Sequence, residues 1–184
     1  MTSPDGEALA DLLAERRHLL DVAGRLLGPG PATGDAVDAA YRAWYRLSAP
    51  DRAAVTSPRA WLIRVTSTQC LVRRFRLACE TQSPEALAAV LAPEVTAWFD
   101  GGGKVRTADR PVRGRTAVVR AVLPLLAPRP ETEVTEEQVN GGPALVVRVS
   151  GSVAAVVLCD TLGTAITDLW LVLNPSKLQG LRRP

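Results

Sequence analysis

GPALVVRVSGSVAAVVLCDTLGTAITDLWLVLN, the stretch from Gly142 to Asn174, decides the fold. It contains three runs rich in Val, Ile, Leu and Trp: Ala144 to Ser150, Val153 to Asp160, and Ala165 to Asn174. Gly151 and Gly163 separate them, and runs of this composition between glycine turns read as strands of a meander. Strand alternation puts Ile166, Asp168, Trp170, Val172 and Asn174 on one face of the last run, opposite Leu169, Leu171 and Leu173.

Upstream of the meander, Val118, Val119, Val122 and Leu126 form a helical stripe, with Pro124 as an expected kink. Before it, Val95 to Asp100, the Gly101-Gly102-Gly103 turn and an extended Lys104 to Asp109 predict a hairpin. Phe75 to Cys79 reads as helix, and Ser83-Pro84 opens another through Leu87, Val90 and Leu91. Helices followed by strands describe an α+β domain with a curved antiparallel sheet.

The first 72 residues read differently. Apolar positions from Leu9 to Leu27 follow helical spacing, and Gly28-Pro29-Gly30-Pro31 ends that helix. A second helix starts near Asp35, expected as its N-cap, and carries Val37, Ala40, Tyr41, Trp44 and Leu47 on one face. Ser57-Pro58 caps and opens a third through Trp61, Leu62, Val65 and Gln69. Tyr41, Trp44 and Trp61 are expected to form the core of this module rather than a base-stacking surface. The division is therefore 1–72 and 73–184, and the absence of a Gly/Ser/Pro spacer predicts that the two parts pack together.

The net charge is +3, but residues 1–72 carry eight Lys/Arg and eight Asp/Glu, so the helical part has no electrostatic footprint for DNA. Val153 to Cys159, the longest strongly apolar run, is too short to span a bilayer. The start around Asp5 and Glu7 lacks the pattern of a signal peptide, and the expected location is the cytoplasm. Cys70, Cys79 and Cys159 share no metal-ligand spacing and read as reduced, mostly buried thiols. With His18 as the single histidine, a His-based metal site or a Ser-His-Asp triad is hard to build.

Several phrases carry a resemblance. Arg17-His18-Leu19-Leu20, Arg25-Leu26-Leu27-Gly28, Asp35-Ala36-Val37 with Tyr41 and Trp44, Asp51-Arg52 and Ser57-Pro58-Arg59-Ala60-Trp61-Leu62 resemble region 2 of extracytoplasmic-function sigma factors. Ala88 to Val95, Asp100 to Val105, Pro111-Val112-Arg113-Gly114, Val139 to Val146, Asn174-Pro175 and Lys177-Leu178 resemble the SnoaL-like domain that an actinobacterial type of these factors carries at its C-terminus. The resemblance implies a three-helix σ2-like segment followed by a ketosteroid-isomerase-like, cone-shaped α+β barrel around an apolar pocket.

Family members place a linker and a helix-turn-helix region 4 between these parts, whereas here Cys70-Leu71-Val72 runs straight into Arg73-Arg74-Phe75. Without region 4 there is no recognition helix for the upstream promoter element, so promoter DNA is not an expected partner. The helix that docks on RNA polymerase in the family also departs from pattern. Acids are usual where Ala32 and Gly34 stand, Gln-Glu where Asp38-Ala39 stand, and an aliphatic residue at Arg42.

In an apolar pocket a carboxylate acquires a raised pKa and can move a proton, while Trp, Asn or Arg positions a substrate. Thr96, Trp98 and Asp100 share a strand face, as do Asp168 and Trp170, so Asp100 and Asp168 each stand two places from a Trp. The candidate proton-transfer residues are Asp100, Asp168 and Asp160, in that order, although Asp100 before three glycines also suits a turn, and Asp160 leads into one. Trp98, Trp170, Asn140, Asn174 and Arg113 are the candidate substrate contacts. Asp109 reads as a solvated hairpin residue paired with a neighbouring Arg.

Two functions follow. One is a cofactor-independent, metal-free enzyme of specialised metabolism, a cyclase, isomerase, dehydratase or hydrolase acting on an apolar, polyketide-like molecule. The other is a transcription regulator that binds RNA polymerase or a sigma factor and uses the SnoaL-like domain as a ligand sensor or homodimerisation module.

Overall fold

The computed structural model describes residues 4–105, 107–108 and 110–179, with side chains from residue 15 onward. The chain divides into two compact units, Met1–Cys70 and Leu71–Pro184.

The first unit contains α1 (Pro4–Leu27), α2 (Pro31–Arg46), the short α3 (Ala49–Ala53) and the first part of α4 (Pro58–Glu80). Pro31 opens α2, so Asp35, the expected N-cap, lies a turn inside the helix. Proline suits that first position because its missing N–H has no intrahelical acceptor there. Ser57 caps α4 as expected, its Oγ accepting from the Ala60 N–H at 3.3 Å. Leu19, Ala23, Ala36, Val37, Ala40, Leu62 and Val65 form the buried core, in which alanines let the helices approach closely. Trp44 and Trp61 meet edge to face at 5.2 Å, and the Arg52 guanidinium stands 5.9 Å from the Trp44 ring. Tyr41, Trp44 and Trp61 all pack against that core.

The second unit is α+β. The end of α4 leads into α5 (Pro84–Val90), β1 (Leu91–Asp100), β2 (Val112–Arg113), α6 (Arg115–Leu125), β3 (Thr132–Val139), β4 (Gly142–Val149), β5 (Ser152–Leu162), β6 (Ala165–Val172) and α7 (Pro175–Leu178). The strands form one open sheet in the order β2-β1-β6-β5-β4-β3. Every neighbouring pair is antiparallel except β1 and β6, which run parallel.

One face of the sheet is covered by helices. Phe75 and Ala78 of α4, Leu87 and Val90 of α5, and Val118 and Val122 of α6 pack on Val95 and Ala97 of β1, Leu145 of β4, Val157 of β5, and Leu169 and Leu171 of β6. Each such aliphatic side chain removed from water contributes about 1.5–3 kcal/mol before chain entropy is counted. Pro124 stands in the last turn of α6, where the helix is already ending. On the other face a smaller cluster, Val139, Ala144, Val146 and Val156, is covered by Leu178 of α7.

Two expectations need correction. The strand that pairs antiparallel with β1 is Val112–Arg113, not Lys104 to Asp109. After the glycines the chain folds back, the Lys104 and Val105 N–H groups both donating to the Gly101 carbonyl, and a Cβ on Gly101 would lie only 2.0 Å from the Val105 carbonyl oxygen. Asp109 itself lies outside the described residues. The second correction concerns Ile166, which packs in the helix-covered core with Leu169. A bulge sets Asp168 opposite Asp160 but Ile166 opposite Thr161, so Thr167 is an extra residue in β6 and the alternation reverses there.

Candidate functional site

The sheet register assembles most of the sequence-predicted residues. Reading across β2, β1, β6 and β5, Arg113 stands opposite Thr96, Thr96 opposite Asp168, and Asp168 opposite Asp160. The next row runs Trp98, Trp170, Leu158 and Ala144. Trp98 and Trp170 stack with ring centroids 5.2 Å apart and planes at 6°. Thr96, Trp98 and Asp100 alternate with Val95 and Ala97, which point into the helix-covered core. The three aspartates and both tryptophans therefore share the face turned away from α4, α5 and α6.

Asp100 is held by its surroundings. Its carboxylate pairs with Lys177 Nζ at 2.8 Å and accepts from the Gly102 N–H at 3.0 Å. The Lys177 hydrogen bond, opposed by partial desolvation and helped by the Gly102 bond, lowers its pKa below the ordinary carboxylate value. The raised pKa expected from the nearby Trp is thus overturned, because the cation and the turn stabilise the charged form. Asp160 is exposed and Asp168 half-buried.

The remaining candidates have local tasks. Asn174 caps α7, its Oδ1 accepting from the Ser176 N–H at 3.1 Å. It also lies against Gly102, where φ is +58° and a Cβ would stand 2.3 Å from the Asn174 Cγ, so only glycine fits. Asn140, with φ of 52°, forms the exposed β3–β4 turn. Arg113 is exposed on edge strand β2.

A different place offers a concavity. On the helix-covered side a cavity of about 150 Å³ opens between the end of α4, the α6–β3 connection and the sheet. Its apolar walls are Leu126, Pro128, Val134 and Leu145, and its polar lining is Arg76, Glu80 and Thr132. Arg76 donates from Nε to Glu136 at 2.8 Å and from Nη1 to Glu80 at 2.5 Å. Burial opposes its charge, but the two carboxylates outweigh burial and raise its pKa. Cys79 completes the wall, and burial, with the Glu80 charge adding to it, pushes its thiol up to about 12.

None of these lining residues stands out in the sequence. The available signals were the i,i+4 spacing of Arg76 and Glu80 and the glutamates of β3, a strand that sequence reading missed. A second unforeseen cluster lies on the other face, where Arg148, 3% exposed, donates to Thr135 at 2.9 Å and to both Glu137 oxygens at 2.5 and 3.2 Å. Among the described residues no group of three His, Cys, Asp or Glu side chains is placed to hold a metal, and no helix is long and apolar enough to cross a membrane.

No protein-family model matches the chain, and no curated protein matches it. Among solved structures, the extracytoplasmic function sigma factor SigJ of Mycobacterium tuberculosis is 18% identical, with 94% of this chain and 98% of that one covered and a TM-score of 0.48. A proposed ketosteroid isomerase from Kribbella flavida is 15% identical over 59% of this chain and 78% of its own, with a TM-score of 0.42. An NTF2-like protein of unknown function from Mesorhizobium loti is 19% identical over 60% and 93%, with a TM-score of 0.44. The chain is thus similar along most of its length to a sigma factor, and along about three fifths of it to ketosteroid-isomerase-like and NTF2-like proteins.

Proposed function

We propose that the second unit is a binding module for a small, mostly apolar molecule, which it takes up in the cavity beside Arg76. The observation that carries this reading is the cavity itself, an apolar concavity of about 150 Å³ with polar groups confined to one part of its lining. Pockets that bind small molecules have this composition, and apolar cavities of about 150 Å³ accept molecules the size of benzene. The lining favours binding over catalysis. Arg76 is engaged by two carboxylates, and the Cys79 thiol, with a pKa of about 12, stays protonated at neutral pH. On this reading the chain is a ligand-responsive regulator descended from a sigma factor. The test is titration of the full chain with small apolar compounds, following the methyl resonances of Leu126, Val134 and Leu145. Shifts confined to these methyls support the reading, and their absence with every compound tried refutes it.

A second reading keeps catalysis and places it on the opposite face. The row Asp160–Asp168 beside the Trp98–Trp170 stack supports it, since it sets two carboxylates next to an aromatic wall. Here an aspartate transfers the proton in a cyclase, isomerase, dehydratase or hydrolase reaction on an apolar, polyketide-like substrate. With such a substrate in hand, Asp168→Asn should lower turnover roughly 10²- to 10⁴-fold without unfolding the protein. Full activity in both Asp160→Asn and Asp168→Asn would remove this reading.

A further inference from the structure

We infer that residues 127–131, the connection between α6 and β3, form a gate over the mouth of the cavity, and that the bond from Ser150 to Glu131 is the latch that sets how fast a ligand enters and leaves. This rests on the cavity reading above and adds the control of access to it.

The lining residues divide by exposure. Cys79, Leu126 and Leu145 are buried and make the floor, whereas Glu80 and Pro128 are exposed and mark the mouth. A ligand therefore passes between the last turn of α4 and the connection. The helix side of that opening is fixed, because Phe75 and Ala78 are buried in the core and Arg76 Nε donates to Glu136 of β3 at 2.8 Å. Movement that widens the mouth has to come from the connection.

Its sequence suits a strap that moves as one piece. Pro128 and Pro130 stand on either side of Arg129, and proline fixes φ and supplies no N–H for pairing with a neighbouring strand. Arg129 Nη2 donates to the Pro124 carbonyl at 3.3 Å, and the Thr132 N–H donates to the Arg129 carbonyl at 3.1 Å. These bonds order the strap between the two elements it joins without tying it to the rest of the sheet.

That tie comes from the β4–β5 turn. The Ser150 N–H donates to the Glu131 carbonyl at 2.9 Å, and Ser150 Oγ donates to the Glu131 carboxylate. Glu131 has φ of +65°, a left-handed conformation that a residue with a Cβ seldom adopts unless its surroundings hold it. The hydroxyl–carboxylate bond is exposed, so water competes for both groups and the latch opens at modest cost. A strained residue held by such a bond, beside the lining residues Pro128 and Thr132, poises the strap between closed and open. Neither Glu131 nor Ser150 lines the cavity, so opening changes entry and exit alike and leaves affinity unchanged.

The experiment titrates the full chain with benzene and measures entry and exit rate constants by exchange spectroscopy on the Leu126 and Leu145 methyls. Ser150→Gly removes the hydroxyl while accepting the φ of +49° at that position, and Glu131→Asn tolerates left-handed backbone with a shorter side chain. Each should raise both rate constants roughly three- to tenfold, the factor one exposed hydrogen bond is worth, with Kd unchanged. The double variant should be no faster than either single one, because both break the same bond. Ser152→Ala, an exposed position on the same hairpin, should change neither rate. Unchanged rates in both latch variants, equal acceleration in Ser152→Ala, or faster exit with weakened affinity overturns the inference and leaves the cavity reading intact. Failure of benzene to shift the methyls of the unmodified chain removes the cavity reading, and the gate with it.

Discussion

Trp98 and Trp170 are direct partners across the parallel β1–β6 pair, and their rings lie 6° from parallel with centroids 5.2 Å apart. β2, α6, β3, β4 and β5 all lie between β1 and β6 in the chain, so the stack ties the beginning of the sheet's sequence to its end. Both rings are half-buried, with Leu158 as the neighbour of Trp170 on β5.

Truncating either ring should therefore destabilise the domain. Trp98→Ala and Trp170→Ala are each expected to cost about 1–3 kcal/mol, less than a fully buried aromatic because both rings keep some contact with water. A double-mutant cycle in urea should return a coupling of about 0.5–1.5 kcal/mol, the range for a stacked aromatic pair. Additive losses would show that the rings are independent.

Stability should respond to acid through Asp100. Its folded-state pKa lies below the unfolded value, so the carboxylate's contribution is fully present above about pH 4 and is lost as pH falls through the folded value. Urea midpoints measured from pH 7 down to pH 2.5 should fall less steeply in Asp100→Asn than in the unmodified chain. Lys177→Met should reproduce that flattening, because its ammonium is the first cause of the shift.

The two thiols at the helix–sheet interior should resist alkylation. Burial, with the Glu80 charge adding to it, pushes Cys79 up to about 12, and burial, followed by the charge of Asp160 and then Cys79, does the same at Cys159. At pH 8 each should react with iodoacetamide roughly a thousandfold more slowly in the folded chain than in urea, as mass spectrometry of quenched samples would show. The linkage has a definite sign. The unfolded thiols ionise near pH 8.5 while the folded ones remain protonated, so stability should fall as pH rises above that value.

Promoter-specific run-off transcription with core RNA polymerase should yield no product. α4 continues from Pro58 to Glu80, and α5, β1 and the rest of the second unit follow it, so no helix-turn-helix element stands where the sigma-factor resemblance would place region 4. A discrete transcript would show that promoter recognition survives without that element.

The strands that sequence reading found are those whose composition alone specifies them. Val-rich β4 and β5 and the Leu/Trp alternation of β6 are bounded by glycine turns, and Trp98 with Asp100 shares a face as alternation requires. Ile166 was misplaced because a one-residue bulge at Thr167 leaves no mark in a pattern of period two. β3 went unseen because TEVTEEQV carries three glutamates, a composition set by its place at the sheet edge rather than by strand propensity. The cavity was illegible for a related reason. Arg76, Leu126 and Val134 are far apart in the chain, and only the fold brings the end of α4 against β3.

The two borders of the sheet have a consequence for behaviour at high concentration. A free strand edge offers unpaired backbone groups on which another molecule's strand can add, and repetition of that step builds fibrils. At one border β2 is two residues long, too short to template such growth. At the other, Glu136 and Glu137 of β3 are engaged by Arg76 and Arg148, and the exposed Glu133 is the charge that an incoming copy of the same strand would bring into register with its like. One side chain therefore stands between this border and chain-to-chain strand addition, and Glu133→Val should make concentrated solutions of the protein prone to fibril growth.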